Sequence, residues 1–149
     1  FYQLMHFFDV TRIMIAAQAL GLSEACLAAS VKYAKERNVF GAPLGSFQIT
    51  MQKLTEMAIK IEALRGLVYK SAWLVDNGTP DYHLAAMGKY LGGQTAVFCA
   101  NAAVEIHGGY GYMDEYEVQK WYRDAKILEL YEGTKEAEIM TIGKVLQAK

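Results

Sequence analysis

The chain is poor in the residues that lock or break a fold. It has two prolines, Pro43 and Pro80, and two cysteines, Cys26 and Cys99, in 149 residues. Few prolines leave long stretches free to run as helix. Two cysteines inside apolar helical runs form no disulfide framework and match no zinc spacing. Buried free thiols in a reducing compartment are expected, and no metal site. An excess of charge is also missing. A formal net charge of −1 lacks the basic footprint that nucleic acid requires. The most apolar segment, Ile13 to Leu22, is interrupted by Gln18 and bounded by Arg12 and Glu24. That falls short of the roughly 20 residues of a membrane span, so none is expected. The start, FYQLMHFFD, shows neither the basic region nor the cleavage site of a secretory leader, and no initiator Met. A non-secreted piece of a longer chain is expected. No segment alternates with period two, so strands are not expected either.

What is present is apolar and periodic. Hydrophobic residues make up 53% and charged residues 21%, enough for a sizeable core in a single domain. From Leu54, Met57, Ala58, Ile61, Leu64, Val68, Ala72 and Val75 recur at steps of three and four, tracing one helix face. Asp76-Asn77-Gly78-Thr79-Pro80 ends that helix, and Asp81 can cap the next, expected from about Tyr82 to Ile106. An earlier helix, from about Val10 to Lys35, is apolar on several faces, which suits the middle of an assembly. A shorter helix follows from about Tyr116 to Leu128, and a last one from Thr134 to Gln147, with Thr134 as its N-cap and Glu136 near its positive end. Asn38 to Ser46 and His107 to Glu115 read as glycine-rich loops. The periodicity predicts an all-α fold, an antiparallel up-and-down four-helix bundle with an extra short helix.

Several residues have both a bland and a functional reading. Glu132, in YRDAKILELYEGTKE (Tyr122 to Glu136), stands directly before Gly133 at a helix-to-helix junction. On spacing alone a turn carboxylate is more often a solvated polar residue. Aimed into an apolar cleft walled by Leu128, Leu130 and Tyr131, it could instead serve as a general base. His107-Gly108-Gly109-Tyr110-Gly111 could present bare backbone to phosphates or could simply stop a helix. Asp9 and Arg12 can pair on a helix surface, or the Arg can bind an anion. Arg37 and Phe40, at a loop mouth, pose the same choice.

Four motifs in order, FDVTR (Phe8 to Arg12), KERNVFGAPLGSFQ (Lys35 to Gln48), HGGYGY (His107 to Tyr112) and YRDAKILELYEGT (Tyr122 to Thr134), give the chain a resemblance to a known family. It is similar throughout its length to the C-terminal helical domain of the acyl-CoA dehydrogenases. The resemblance implies that N-terminal helical and middle β domains complete the enzyme, and that FAD lies between the middle domain and this one. It implies an assembly of four copies with this bundle at the centre. Glu132 matches the base that removes an α-proton from an acyl-CoA thioester while the β-hydrogen leaves as hydride to flavin N5, giving a trans-2-enoyl-CoA. Its backbone N–H would help polarise the thioester carbonyl. Phe8, Asp9, Thr11, Arg12, Tyr131 and Gly133 match the surroundings of the acyl-CoA. In some relatives the base stands at the position of Thr11, which cannot serve as one. Arg37, Phe40 and Gln48 match residues reaching the FAD of a neighbouring subunit, Gly108 and Gly109 the loop at its ADP part, and Thr134 and Glu136 flavin contacts beside the base.

Electron-transferring flavoprotein is the implied acceptor, and bacterial cytoplasm or mitochondrial matrix the implied compartment. Three segments depart from the family pattern. Glu105 replaces a Gln at the diphosphate, so either a cation compensates it or it turns away. Glu117 replaces a Pro, and Glu138-Ile139 stand where Gln-Arg is usual. An acyl-CoA oxidase and a decarboxylating glutaryl-CoA-type enzyme share the same motifs. A catalytically silent oligomerisation module is the alternative outside enzymes. Taken alone, the fragment is expected to hold FAD weakly and to be inactive.

Overall fold

A computed structural model describes residues 2–147, and the side chains of residues 2–6 and of Asp9 lie outside the described set. Five α-helices follow in order: α1 (Tyr2–Glu36), α2 (Gln48–Asp76), α3 (Tyr82–His107), α4 (Val118–Ile127) and α5 (Lys135–Gln147). The all-α bundle read from periodicity is the fold, with α4 as the short additional helix.

Helix boundaries follow local chemistry. The Asp81 carboxylate accepts from the Leu84 N–H at 3.0 Å, capping α3. Thr134 Oγ1 accepts from the Ala137 N–H at 3.4 Å at the start of α5. The expected bounds shift modestly: α1 begins well before Val10, and α2 begins at Gln48, ahead of the apolar periodicity that starts at Leu54.

One correction concerns strands. Asn38–Val39 (β1) and Ala42–Pro43 (β2) pair antiparallel in a minimal hairpin, in register Asn38↔Pro43 and Val39↔Ala42. Two-residue strands are too short to show alternation. Phe40 (φ 50) and Gly41 (φ 82) form the turn, both in the left-handed conformation that tight hairpins require.

Within one chain α3 touches every other helix, and α1 packs along it most extensively. Small residues allow this. Ala16 and Ala19 of α1 face Gly88 and Gly92 of α3, where a Cβ on Gly92 would lie 3.1 Å from the Ala19 Cβ. Met57, Ile61 and Leu64 of α2, with Val118, Ala125 and Leu128, close the core. By length and composition alone the Val10–Glu36 part of α1 is long and apolar enough to cross a membrane. Here it forms one side of the core, and its buried Ser23 and Ser30 hydroxyls donate to the Ala19 and Cys26 carbonyls, each at 2.7 Å.

Cys26 and Cys99 are buried free thiols. Burial pushes their pKa values up to about 12 and about 11, and the two groups' proximity adds to the rise at Cys26.

Candidate functional site

The segment joining α4 to α5 is held from three sides. Glu132 adopts φ 57, unusual for a residue with a side chain, and Gly133 follows at φ 107. From α1, Thr11 Oγ1 lies 2.7 Å from Glu132 Oε2 and donates to it. From α3, the Lys89 ammonium donates to the Gly133 carbonyl. From α5, Glu138 Oε1 stands 2.5 Å from where a Cβ on Gly133 would sit. Tyr131 Oη donates to Gln18 Oε1 at 2.6 Å, tying the residue before Glu132 to α1 as well.

Beneath this turn lies a buried charge cluster. Arg12 is not a surface residue: its Nε donates to Glu138 Oε1 at 3.1 Å, with side chains only 7% and 0% exposed. Lys89 is 2% exposed. Burial pulls its pKa down, opposed chiefly by Glu138, then worsened by Arg12 and relieved by Glu129 and Glu132. A buried cation is costly unless it is paired and hydrogen-bonded. Here the compensation comes from the anions around the turn and from the Gly133 carbonyl. Asp9, expected beside Arg12, lies outside the described side chains.

A second group of expected residues gathers at the other end of α3. Arg37, Glu105, Gly108 and Gly109 line a cleft of about 600 Å³ together with Tyr33, Val39, Leu44, His107 and Tyr110. Gly108 (φ 60) and Gly109 have nothing within 4 Å of a would-be Cβ, so their backbone faces open space. Glu105 is compensated by a cation: Lys53 donates to it, Asn101 Nδ2 donates at 2.9 Å, and both hold its pKa below the usual carboxylate range.

The His107 ring stacks on Tyr33 at 4.2 Å and meets Tyr116 edge-on at 5.5 Å. Its Nδ1 bonds the Ala103 carbonyl at 2.8 Å. Burial pushes its pKa down, against that bond. Arg37 lies over the Tyr110 ring at 5.5 Å. A neighbouring hollow of about 690 Å³ contains Asp114 and Glu115, a poorer lining for phosphate.

The remaining expected residues stand apart from this cleft. Phe40 is 99% exposed on its hairpin turn, its ring 6.3 Å from Phe47. Gln48 opens α2 at the surface. Thr134 and Glu136 are exposed on the first turn of α5, where the helix backbone and Thr134 hold the Glu136 pKa below the ordinary range. Phe8 is half-buried, and its carbonyl lies 3.1 Å from Thr11 Oγ1.

Two residues escaped the sequence reading: Lys89, and Glu138 as the partner of Arg12. Lys89 left one signal. It is the only Lys, Arg, Asp or Glu between Asp81 and Glu105, set among the small residues Ala85, Ala86, Gly88, Gly92 and Gly93.

The fold and this site define a helical domain that brings a carboxylate on a strained turn to one end and bare glycine backbone, a cation and stacked rings to the other. The family described as "Acyl-CoA dehydrogenase, C-terminal domain" matches residues 1–147, and the chain belongs to that family. It is 44% identical to the probable acyl-CoA dehydrogenase YngJ of Bacillus subtilis, over 98% of this chain and 38% of that protein. The solved butyryl-CoA dehydrogenase of Megasphaera elsdenii superposes with a TM-score of 0.94 at 46% identity, over 96% of this chain and 37% of that one. The caffeyl-CoA reductase-Etf complex subunit CarC of Acetobacterium woodii is 38% identical over 100% of this chain and 39% of its own length. The chain thus spans well under half the length of these relatives.

Proposed function

We propose that this chain is the C-terminal domain of a flavoenzyme that dehydrogenates an acyl-CoA thioester to a trans-2-enoyl-CoA, with Glu132 as the α-proton base. The observation that carries the reading is the Glu132 carboxylate, fixed on a left-handed turn by the Thr11 hydroxyl at 2.7 Å. A non-glycine residue held at positive φ costs roughly 1–3 kcal/mol and persists where the surroundings over-determine it. The surroundings here are α1, α3 and α5 together.

The family is FAD-dependent, and the residues present fit such a cofactor. The cleft offers bare backbone at Gly108 and Gly109, a cation in Arg37 and a flat face in Tyr110, and Lys53 neutralises the one anion, Glu105. Bound FAD would supply the hydride acceptor for the β-hydrogen. The chain's own part is to take the α-proton onto Glu132. The Lys89 bond to Gly133 keeps the turn in place.

Lys89 and Glu105 stand about 24 Å apart along α3 at roughly 1.5 Å per residue. That separation supports Arg37, Phe40 and Gln48 serving the cofactor of a neighbouring copy, in a homotetramer of the kind typical of the family. Buried free thiols support a reducing compartment, bacterial cytoplasm or mitochondrial matrix. We take electron-transferring flavoprotein as the electron partner, a reading supported by the relative whose name places it in an Etf complex. That relative is named a reductase, so the same residues can serve the reverse reaction, with Glu132 returning the proton.

The test is Glu132→Gln in the full-length flavoenzyme. The substitution keeps the shape and removes the basicity. Flavin bleaching on adding acyl-CoA is expected to slow by at least about a thousandfold, towards the upper end of general-base effects. An undiminished rate would rule Glu132 out.

A further inference from the structure

The Thr11 hydroxyl has one proton and two acceptors within reach. Its Oγ1 lies 2.7 Å from Glu132 Oε2 and 3.1 Å from the Phe8 carbonyl one helical turn back. A hydroxyl donates one hydrogen bond and accepts through its lone pairs, so it can serve only one of these oxygens fully at a time. Which one it serves depends on Glu132. An ionised carboxylate only accepts, and a bond to it is charge-assisted, so the hydroxyl proton points to Oε2. A protonated carboxyl must donate. The Thr11 oxygen can then accept from it while the hydroxyl proton turns to the Phe8 carbonyl, a bond that Thr commonly makes within a helix.

We propose that Thr11 is a positioning residue whose hydroxyl follows the charge on Glu132, donating to the carboxylate before proton transfer and to the Phe8 carbonyl after it. The proposal rests on Glu132 being the base. When the α-proton arrives, the new O–H bond forms on Glu132, and the electron pair of the broken C–H bond stays with the substrate. No covalent bond of Thr11 breaks. One torsion turns, and the carboxyl group keeps a partner in both charge states. The helix backbone supplies the second rest position, so the turn carrying Glu132 need not move.

The charged and titratable groups that converge on this turn are Arg12 from α1, Lys89 from α3 and Glu138 from α5, with Glu129 and Tyr131 from its own segment. None is altered by changing Thr11, so a substitution there isolates the hydroxyl. The experiment is stopped-flow flavin reduction by acyl-CoA across pH in the full-length flavoenzyme, comparing Thr11→Val, Thr11→Ala and Thr11→Ser with the parent. Flavin content and Tm report folding. Val keeps the shape without the hydroxyl, and Ala carries the same expectation if Val disturbs α1.

The limiting rate is expected to fall about tenfold or more, the scale of a lost bond to a charged group. A hydrogen bond to the ionised form favours that form. Its loss is therefore expected to move the ascending limb of the pH–rate profile to higher pH. Ser is expected to restore both. A weaker apparent affinity for acyl-CoA with an unchanged limiting rate and pH profile would make Thr11 a mere substrate contact and overturn the proposal, as would failure of Ser to rescue. Full activity of Glu132→Gln would instead sink the reading on which the proposal rests.

Discussion

At the scale of the residue, the junction between α4 and α5 is the most constrained point of the chain. Gly133 sits at φ 107 with Glu138 Oε1 2.5 Å from a would-be Cβ, and Glu138 is itself fixed by Arg12. Ala at this position meets both a disfavoured backbone and a buried carboxylate that cannot swing away. Gly133→Ala is expected to cost roughly 2 kcal/mol, about 4–8 °C in Tm, measured by thermal unfolding. Gly108→Ala is the contrast. It also has positive φ (60), but nothing lies within 4 Å, so only the backbone cost applies and the loss should be smaller. Equal losses would mean that Glu138 does not press on the turn. Glu132 and Gly133 could be singled out from the sequence only through the four ordered motifs, since an acidic residue before Gly at a helix junction alone reads more often as solvated. Lys89 and the Arg12–Glu138 pair could not. Their meaning depends on helices distant in sequence converging, and a lone Lys on a helix otherwise reads as solvated.

At the scale of the element, α1 and α3 meet the glycine-rich loop through the rings of Tyr33, His107 and Tyr116. The helices themselves were legible, since periodicity and breakers report them directly, but this joint was not. His107 at a helix end before two glycines looks like an ordinary C-terminal residue. Its burial makes the joint sensitive to pH. In the unfolded chain the imidazole takes up its proton near its ordinary value of about 6.5. In the folded chain burial holds the pKa lower, so between the two values the unfolded state binds more protons and stability falls as pH falls. His107's contribution is thus full above about pH 6.5 and is lost progressively below it. His107→Gln, which keeps a polar side chain for the Ala103 carbonyl, should flatten the dependence of Tm on pH between about 5 and 7. An identical slope in both proteins would place the titrating group elsewhere.

At the scale of the whole molecule, the chain carries more exposed apolar surface than one chain covers. Phe40 is 99%, Met14 63%, Ile59 64% and Trp73 62% exposed, and only a third of the apolar stretch of α1 is buried. Phe40 pays backbone strain to stand in solvent, a cost that makes sense if its ring meets something outside this chain. The all-round apolarity of α1, read from the sequence as a mark of assembly, fits the same picture, because burial that one chain does not provide another can. The two ends of the site point the same way. Lys89, which holds the Glu132 turn, and Glu105, beside the glycine backbone, stand about 24 Å apart along α3, and among the described residues the cleft at Gly108 and Gly109 has walls from α1, the segment from Arg37 to Leu44, α3 and the glycine-rich loop. A flavin lying there would have one face covered by this chain, so the chain should not retain it. Incubated with excess FAD and passed through a desalting column, the 149-residue chain is expected to emerge colourless, whereas the full-length flavoenzyme should keep its yellow absorbance through the same column. If the chain alone carried flavin through in a one-to-one ratio, these helices would hold a complete cofactor site, and the reading of a site shared with other parts of the enzyme would be wrong.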